Sequence, residues 1–362
     1  MVTQKRGYVL IDGLRGIAAL AVASLHWQAL SAPWLFAASG GLAVDLFFLL
    51  SGIVIAHAYD GRIASGDLNT GRFMLTRLIR FWPLYAIGTF LGAAAVCMAL
   101  ATGRLSYYHS YGEVGISAAL TLLFIPQHWG GALFELNTPF WSLLWELLAN
   151  LAFVVFWRRL SINVLSVIVA LGAIGLVAIV LEYGQLSGGN LWDTAITGPV
   201  RVVFSFFLGV VIQRVVPRAP ARSQAAAIGC AAALVALFAM RPGPLIGAYH
   251  LLCVLLVFPA IGVLAMRVDA EGLTGRIFSR LGDASYGVYV LHIPTLILVS
   301  WIVSRSGLDA KGYGPAIFLV SCSALVGCVL FLDRHFDRPA RAWLMHRFGL
   351  RSNRGAVEPR PI

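Results

Sequence analysis

Apolar residues run along this chain in blocks of near-bilayer length, separated by short stretches that carry most of the arginines. A transmembrane helix needs about 20 consecutive apolar residues, whereas barrel strands alternate over about ten. The blocks therefore predict helices, the only open-chain element that satisfies its own backbone in lipid. About ten full spans are expected, at 8–30, 35–58, 82–101, 140–157, 163–181, 199–216, 224–240, 246–266, 283–304 and 314–333. One further piece, Ile116 to Ile125, is too short to cross and stops at Pro126, so it is expected to be re-entrant or interfacial.

Composition supports the same picture. The chain is 59% hydrophobic and 12% charged, against about 25% charged in a soluble domain. It lacks the polar residues to cover a water-soluble surface. The fold class is all-α polytopic membrane protein, one membrane domain over 1–350 with a flexible basic tail at 351–362. Its location is a cell (inner) membrane, crossed many times. Lys5 and Arg6 precede the first block as in a signal peptide, but Arg15 interrupts the run, so an uncleaved first span is expected.

The net charge of +11 would suggest nucleic acid in a soluble protein. Here its distribution gives a topology instead. With the N-terminus inside, the inner segments hold Lys5, Arg6, Arg62, Arg72, Arg77, Arg80, Arg158, Arg159, Arg214 and the basic tail, among others. The outer segments hold only Arg104, Arg201, Arg241, Arg305 and Lys311. That is the positive-inside bias, and it places both termini in the cytoplasm. The cysteines Cys97, Cys230, Cys253, Cys322 and Cys328 lie scattered in apolar segments, so neither a disulfide framework nor a metal site is implied.

Ionisable residues inside the spans are expensive, and they mark candidate chemistry. Arg15 and His26 share the first span, and eleven residues bring a helix back to within roughly 20° of its start. They stand about 16 Å apart along the axis, arginine toward the inside and histidine toward the outside. Glu146, counted inward from the edge of its span, comes out at a depth similar to His26 and is its expected partner. Arg77 and Arg80, one turn apart at the inner mouth, suit an anion, with Leu75, Leu78 and Ile79 available for the lipid side. The pair also fits plain juxtamembrane charge. Asp45 can act at a site or pair structurally, His292 can react or pack at the kink of Pro294, and Arg201 reads as an interfacial snorkel.

Several stretches together resemble the acyltransferase 3 family of integral-membrane acyltransferases, which includes O-antigen and nodulation-factor acetylases. They are Ile11-Asp12-Gly13-Leu14-Arg15-Gly16 with His26 beyond it; Val44 to Gly52; Arg77-Leu78-Ile79-Arg80; Trp141-Ser142-Leu143-Leu144-Trp145-Glu146; Leu281 to His292; and Asp337-Arg338-Pro339. They occur in the family's order over nearly the whole chain.

The resemblance implies that His26 is catalytic, with Arg15 and Glu146 beside it, and that Arg77 and Arg80 hold an acyl-CoA donor, most simply acetyl-CoA. Arg15 would also touch the donor. No metal is implied. The expected acceptor is a hydroxyl of an extracytoplasmic glycan, exopolysaccharide or lipid-linked saccharide. His26 would be either a general base or a transient acyl carrier. Trp145 departs from the small residue usual before the glutamate and is expected to change the acceptor's space. No appended hydrolase-like domain is seen, so a second transfer step would need another envelope-polysaccharide protein. The same buried charges also suit a transporter or flippase, or a non-catalytic assembly partner.

Overall fold

A computed structural model describes residues 8–31, 37–103, 107–218, 221–310 and 312–350. The expectations for Lys5, Arg6, Arg104, Lys311 and the 351–362 tail lie outside the described residues. The regular structure of the described chain is helical apart from one two-residue strand pair and a single bridge. Its helices are α1 (Val9–Ser31), α2 (Ala43–Ala64), α3 (Thr70–Ala101), α4 (Tyr111–Leu122), α5 (Phe140–Phe156), α6 (Ile162–Tyr183) and α7 (Thr197–Val215). They continue as α8 (Gln224–Ala239), α9 (Ile246–Leu252), α10 (Phe258–Arg267), α11 (Gly272–Ser306), α12 (Gly314–Leu332) and α13 (Arg338–Arg347).

Among the described residues nine helical segments are long and apolar enough to cross a membrane. The tenth expected span, 224–240, is α8, and its 16 residues give only about 24 Å of rise. It falls short of a full span by length. α9 and α10 are joined through a π-helical turn at Cys253–Val257 into one rod, and α12 and α13 through another at Asp333–Asp337. The short apolar piece near 116–125 is the 12-residue α4, which begins earlier than expected because Ser110 caps it, its hydroxyl accepting from Glu113 N at 3.2 Å.

α3 is the largest departure from the expected boundaries. The span expected at 82–101 starts instead at Thr70, where the Asn69 side chain accepts from Arg72 N at 2.9 Å. The Arg77–Arg80 stretch is thus the first part of a spanning helix and not a separate interfacial one. Arg77 and Ile79 are both buried, so Ile79 faces protein where lipid was expected.

Close helix contacts position the rest. α1 lies along α11, where a Cβ on Gly16 would stand 2.4 Å from the Leu281 side chain and one on Gly282 2.5 Å from Asp12. α2 crosses α7 glycine to glycine: a Cβ on Gly52 would meet Phe206 O at 2.0 Å, and one on Gly209 would meet Leu49 O at 2.2 Å. Small residues at such crossings let helix backbones touch where lipid gives no hydrophobic drive to associate. α6 turns Val167, Leu171, Ile174 and Leu181 outward, as a lipid-facing helix does.

At the expected inner end, Ala221 and Arg222 pair in parallel with Val268 and Asp269. Asp269 then accepts from Leu10 N at 3.2 Å and holds the first turn of α1. Burial raises its carboxyl pKa above the ordinary range, while backbone N–H donors and Arg218 pull it back.

Candidate active site

A narrow cleft, whose unfilled space is about 630 Å³ with open solvent included, lies between α1, α2, α3, α5 and α11. Three guanidinium groups reach it, from Arg15, Arg77 and Arg80, with one carboxylate in its wall, Glu146. The sequence placed these four residues on two spans and an inner loop far apart in the chain, and the fold brings them to one space.

Glu146 is held from two sides. Ser51 Oγ donates to its Oε1 at 2.6 Å, and Arg77 Nη2 stands 3.6 Å from the same oxygen. Arg77 also lies over the Phe81 ring at 5.0 Å. Arg80 lies over the Tyr286 ring at 5.1 Å and faces Asp337 Oδ2 at 3.9 Å. Behind it the charges alternate: Arg341 binds Asp337 at 2.8 Å and Asp333 at 3.4 Å, and Arg338 binds Asp333 at 2.6 Å and Asp283 at 2.9 Å. Arg15 lines the same cavity and makes no ion pair or side-chain hydrogen bond among the described residues. Three cations facing one carboxylate leave the space electropositive, as a phosphate site requires.

The expected partnership of His26 with Glu146 is corrected. His26 Nδ1 lies 2.9 Å from Val22 O and 3.3 Å from His292 Nε2, while Glu146 turns to Ser51 and Arg77. The depth estimate assumed that α5 starts at the membrane surface. In the fold that start is sunk: Asn137, fully buried, donates from Nδ2 to Val290 O at 2.8 Å, in the middle of α11. Glu146 therefore lies deeper than its count from the span edge. α1 packs on α11, α2, α8 and α12, while α5 packs on α7, α3 and α2.

The two histidines sit just beyond the cavity. Tyr289 forms part of its wall, and its hydroxyl is 2.6 Å from Ser142 Oγ and donates to Pro139 O at 3.1 Å. Its ring centroid is 5.9 Å from that of His292, whose own centroid is 5.0 Å from that of His26. His292 is fully buried, with Nδ1 2.7 Å from Tyr289 O. The sequence motif around His292 was legible, but its direction toward α1 was not.

Two other expectations change. Arg201 is no snorkel: it clamps Asp45 bidentately, Nε to Oδ1 at 3.1 Å and Nη2 to Oδ2 at 2.7 Å, and donates to Gly188 O and Gly41 O at 2.9 and 3.1 Å. Asp45 is therefore structural. Trp145 does not line the cavity; its indole packs where a Cβ on Gly198 would stand, 2.3 Å from Nε1.

A polytopic helical membrane protein with this ordered set of motifs belongs to the class of integral-membrane acyltransferases. The chain belongs to the acyltransferase 3 family, whose profile, described as an acyltransferase domain, matches residues 8–333. It is similar to protein 2 in the picA locus of Rhizobium radiobacter, 34% identical over 189 residues, covering 49% of this chain and 96% of that protein. It is also similar to the acyltransferase MdmB of Streptomyces mycarofaciens, 26% identical over 307 residues, covering 78% of this chain and 77% of that one. No solved structure matches it.

Proposed function

We propose that this acyltransferase moves an acyl group, acetyl being the simplest, from cytoplasmic acyl-CoA to a hydroxyl of an extracytoplasmic glycan, exopolysaccharide or lipid-linked saccharide, in a cell (inner) membrane. One observation carries the reading: a cavity walled by three guanidiniums, one of them in no ion pair among the described residues, ends within one side chain of a histidine pair. Arg77, Arg80 and Arg15 bind the phosphates of the donor, and the thioester lies toward Tyr289 and His26.

The acceptor hydroxyl gives its proton to His26 Nε2, and its oxygen attacks the thioester carbonyl. The carbon–sulfur bond then breaks, and the imidazolium returns the proton to the leaving thiolate. This assigns His26 as general base. A nearby saccharide-assembly protein is the natural supplier or receiver of the acceptor.

The test is transfer from labelled acetyl-CoA by membranes carrying His26→Ala, with membrane abundance measured alongside. A general base contributes about 10²–10⁴-fold, so transfer should fall at least a hundredfold at normal abundance. Undiminished transfer at normal abundance would end the proposal. Release of free CoA by purified protein without any gradient separates this reading from a transporter.

A further inference from the structure

We infer that His292 is the residue that positions His26, by fixing which of its two nitrogens carries the hydrogen. The inference rests on the proposed role of His26 as base.

His292 Nδ1 lies 2.7 Å from Tyr289 O and 3.2 Å from Val288 O. Both are carbonyls and can only accept, so Nδ1 is the protonated nitrogen of the neutral ring. His292 Nε2 is then a bare lone pair. It points at His26 Nδ1, 3.3 Å away, and His26 Nδ1 also lies 2.9 Å from Val22 O. Two acceptors therefore face His26 Nδ1, and that nitrogen must carry the hydrogen. The other tautomer would set a lone pair against a carbonyl oxygen and a second lone pair at once, leaving both acceptors without a donor there. His26 Nε2 is left as the free lone pair, which is the nitrogen a base needs.

His292 thus does for His26 what a carboxylate does in a hydrolase triad, namely orient the ring and fix its tautomer. It differs in being neutral. When His26 takes the acceptor's proton, His292 accepts a charge-assisted hydrogen bond without forming an ion pair. The imidazolium is not trapped and can return its proton to the thiolate. Glu146 remains free for Arg77 and the donor end of the cavity. His292 is itself rigid: it is fully buried, it is held at two backbone carbonyls, and it lies two residues before Pro294 on α11, the helix that packs most closely on α1.

The test pairs two variants with two readouts. His292→Leu removes the acceptor; His292→Gln keeps an oxygen that can accept from His26 Nδ1. Membrane protein labelled with ¹⁵N-histidine reports the tautomer of His26 directly. His26→Ala assigns its signals. We expect the wild type to show His26 protonated at Nδ1 alone, Leu to give a mixture, and Gln to restore the single form. Transfer should drop about tenfold or more in kcat for Leu, with acyl-CoA binding unchanged, and recover to within about threefold for Gln. A His26 tautomer that stays fixed in the Leu variant, or a Gln variant as impaired as Leu with the tautomer unmoved in both, would overturn the inference. If instead His26→Ala transfers normally while the tautomer responds to His292, the positioning stands and the proposed function of His26 falls.

Discussion

At the scale of single residues, two arginine groups with similar sequence signals have different jobs. Arg201 is held by four hydrogen bonds, two to Asp45 and two to carbonyls. Arg77 and Arg80 face a cavity, with longer contacts to Glu146 and Asp337 at 3.6 and 3.9 Å. Removing one member of a buried pair leaves an uncompensated charge and costs about 3–5 kcal/mol, whereas replacing both by apolar groups costs far less. Asp45→Leu alone should therefore lower thermal stability in detergent sharply, and Asp45→Leu with Arg201→Met should regain most of it. Arg77→Ala with Arg80→Ala should cost less stability than Asp45→Leu, because Glu146 keeps Ser51 and Asp337 keeps Arg341, while acyl-CoA binding weakens. At about 1.5–3 kcal/mol for each charge-assisted contact, the expected loss is at least a hundredfold, measurable by equilibrium binding of labelled acyl-CoA. Unchanged binding would remove the donor assignment. The identities of these residues were readable in the sequence because charge inside an apolar run stands out. Their partners were not: Asp45 and Arg201 are 156 positions apart, and no local period encodes that meeting.

Elements set which of those residues can meet. The spans themselves were legible from apolar run length, apart from α8, whose 16 residues were counted as a full crossing. The azimuth of each helix was not legible, because a lipid-facing and a protein-facing surface are both apolar. Glycine gives the missing direction once the structure shows it. On α2, Gly52 sits under Phe206 O while Gly61 has nothing within 4 Å of an added Cβ. The same substitution should thus have opposite effects at the two positions. Gly52→Ala should force α2 off α7 and reduce folded yield. Gly61→Ala should be neutral or stabilising by up to about 1 kcal/mol, since alanine favours the helix. Size-exclusion profiles and melting curves of the two variants check this, and equal behaviour would show that α2 and α7 do not cross at Gly52. The Trp145–Gly198 contact follows the same logic: a large residue on α5 is accommodated by a glycine on α7, which is why the unusual tryptophan leaves the cavity untouched.

For the whole molecule, the separation of the two groups of residues proposed to act restricts the proposed donor. Arg15 and His26 are about 16 Å apart on one helix, with the arginine cluster toward the end of α3 that begins at Thr70. A donor that keeps its phosphates on the arginines and presents a carbonyl at His26 must be anionic at one end and carry its thioester on a long, thin tether. Acyl-CoA has that shape, and a short acyl-thioester has the carbonyl without the anchor. Acetyl-pantetheine, which lacks the nucleotide phosphates, should therefore transfer with a kcat/KM lower by roughly the binding lost in the Arg77→Ala, Arg80→Ala protein, and that double variant should discriminate little between the two donors. The positive-inside distribution of arginines adds a direction. Sealed inside-out membrane vesicles given acetyl-CoA from outside should label a lumenal glycan, and right-side-out vesicles should not until they are opened, because the donor's charge keeps it out of the lipid. Labelling by sealed right-side-out vesicles and not by inside-out ones would place donor and acceptor on one side of the membrane. The span that carries Arg15 and His26 would then have no crossing to serve, whatever the fate of the single-residue tests.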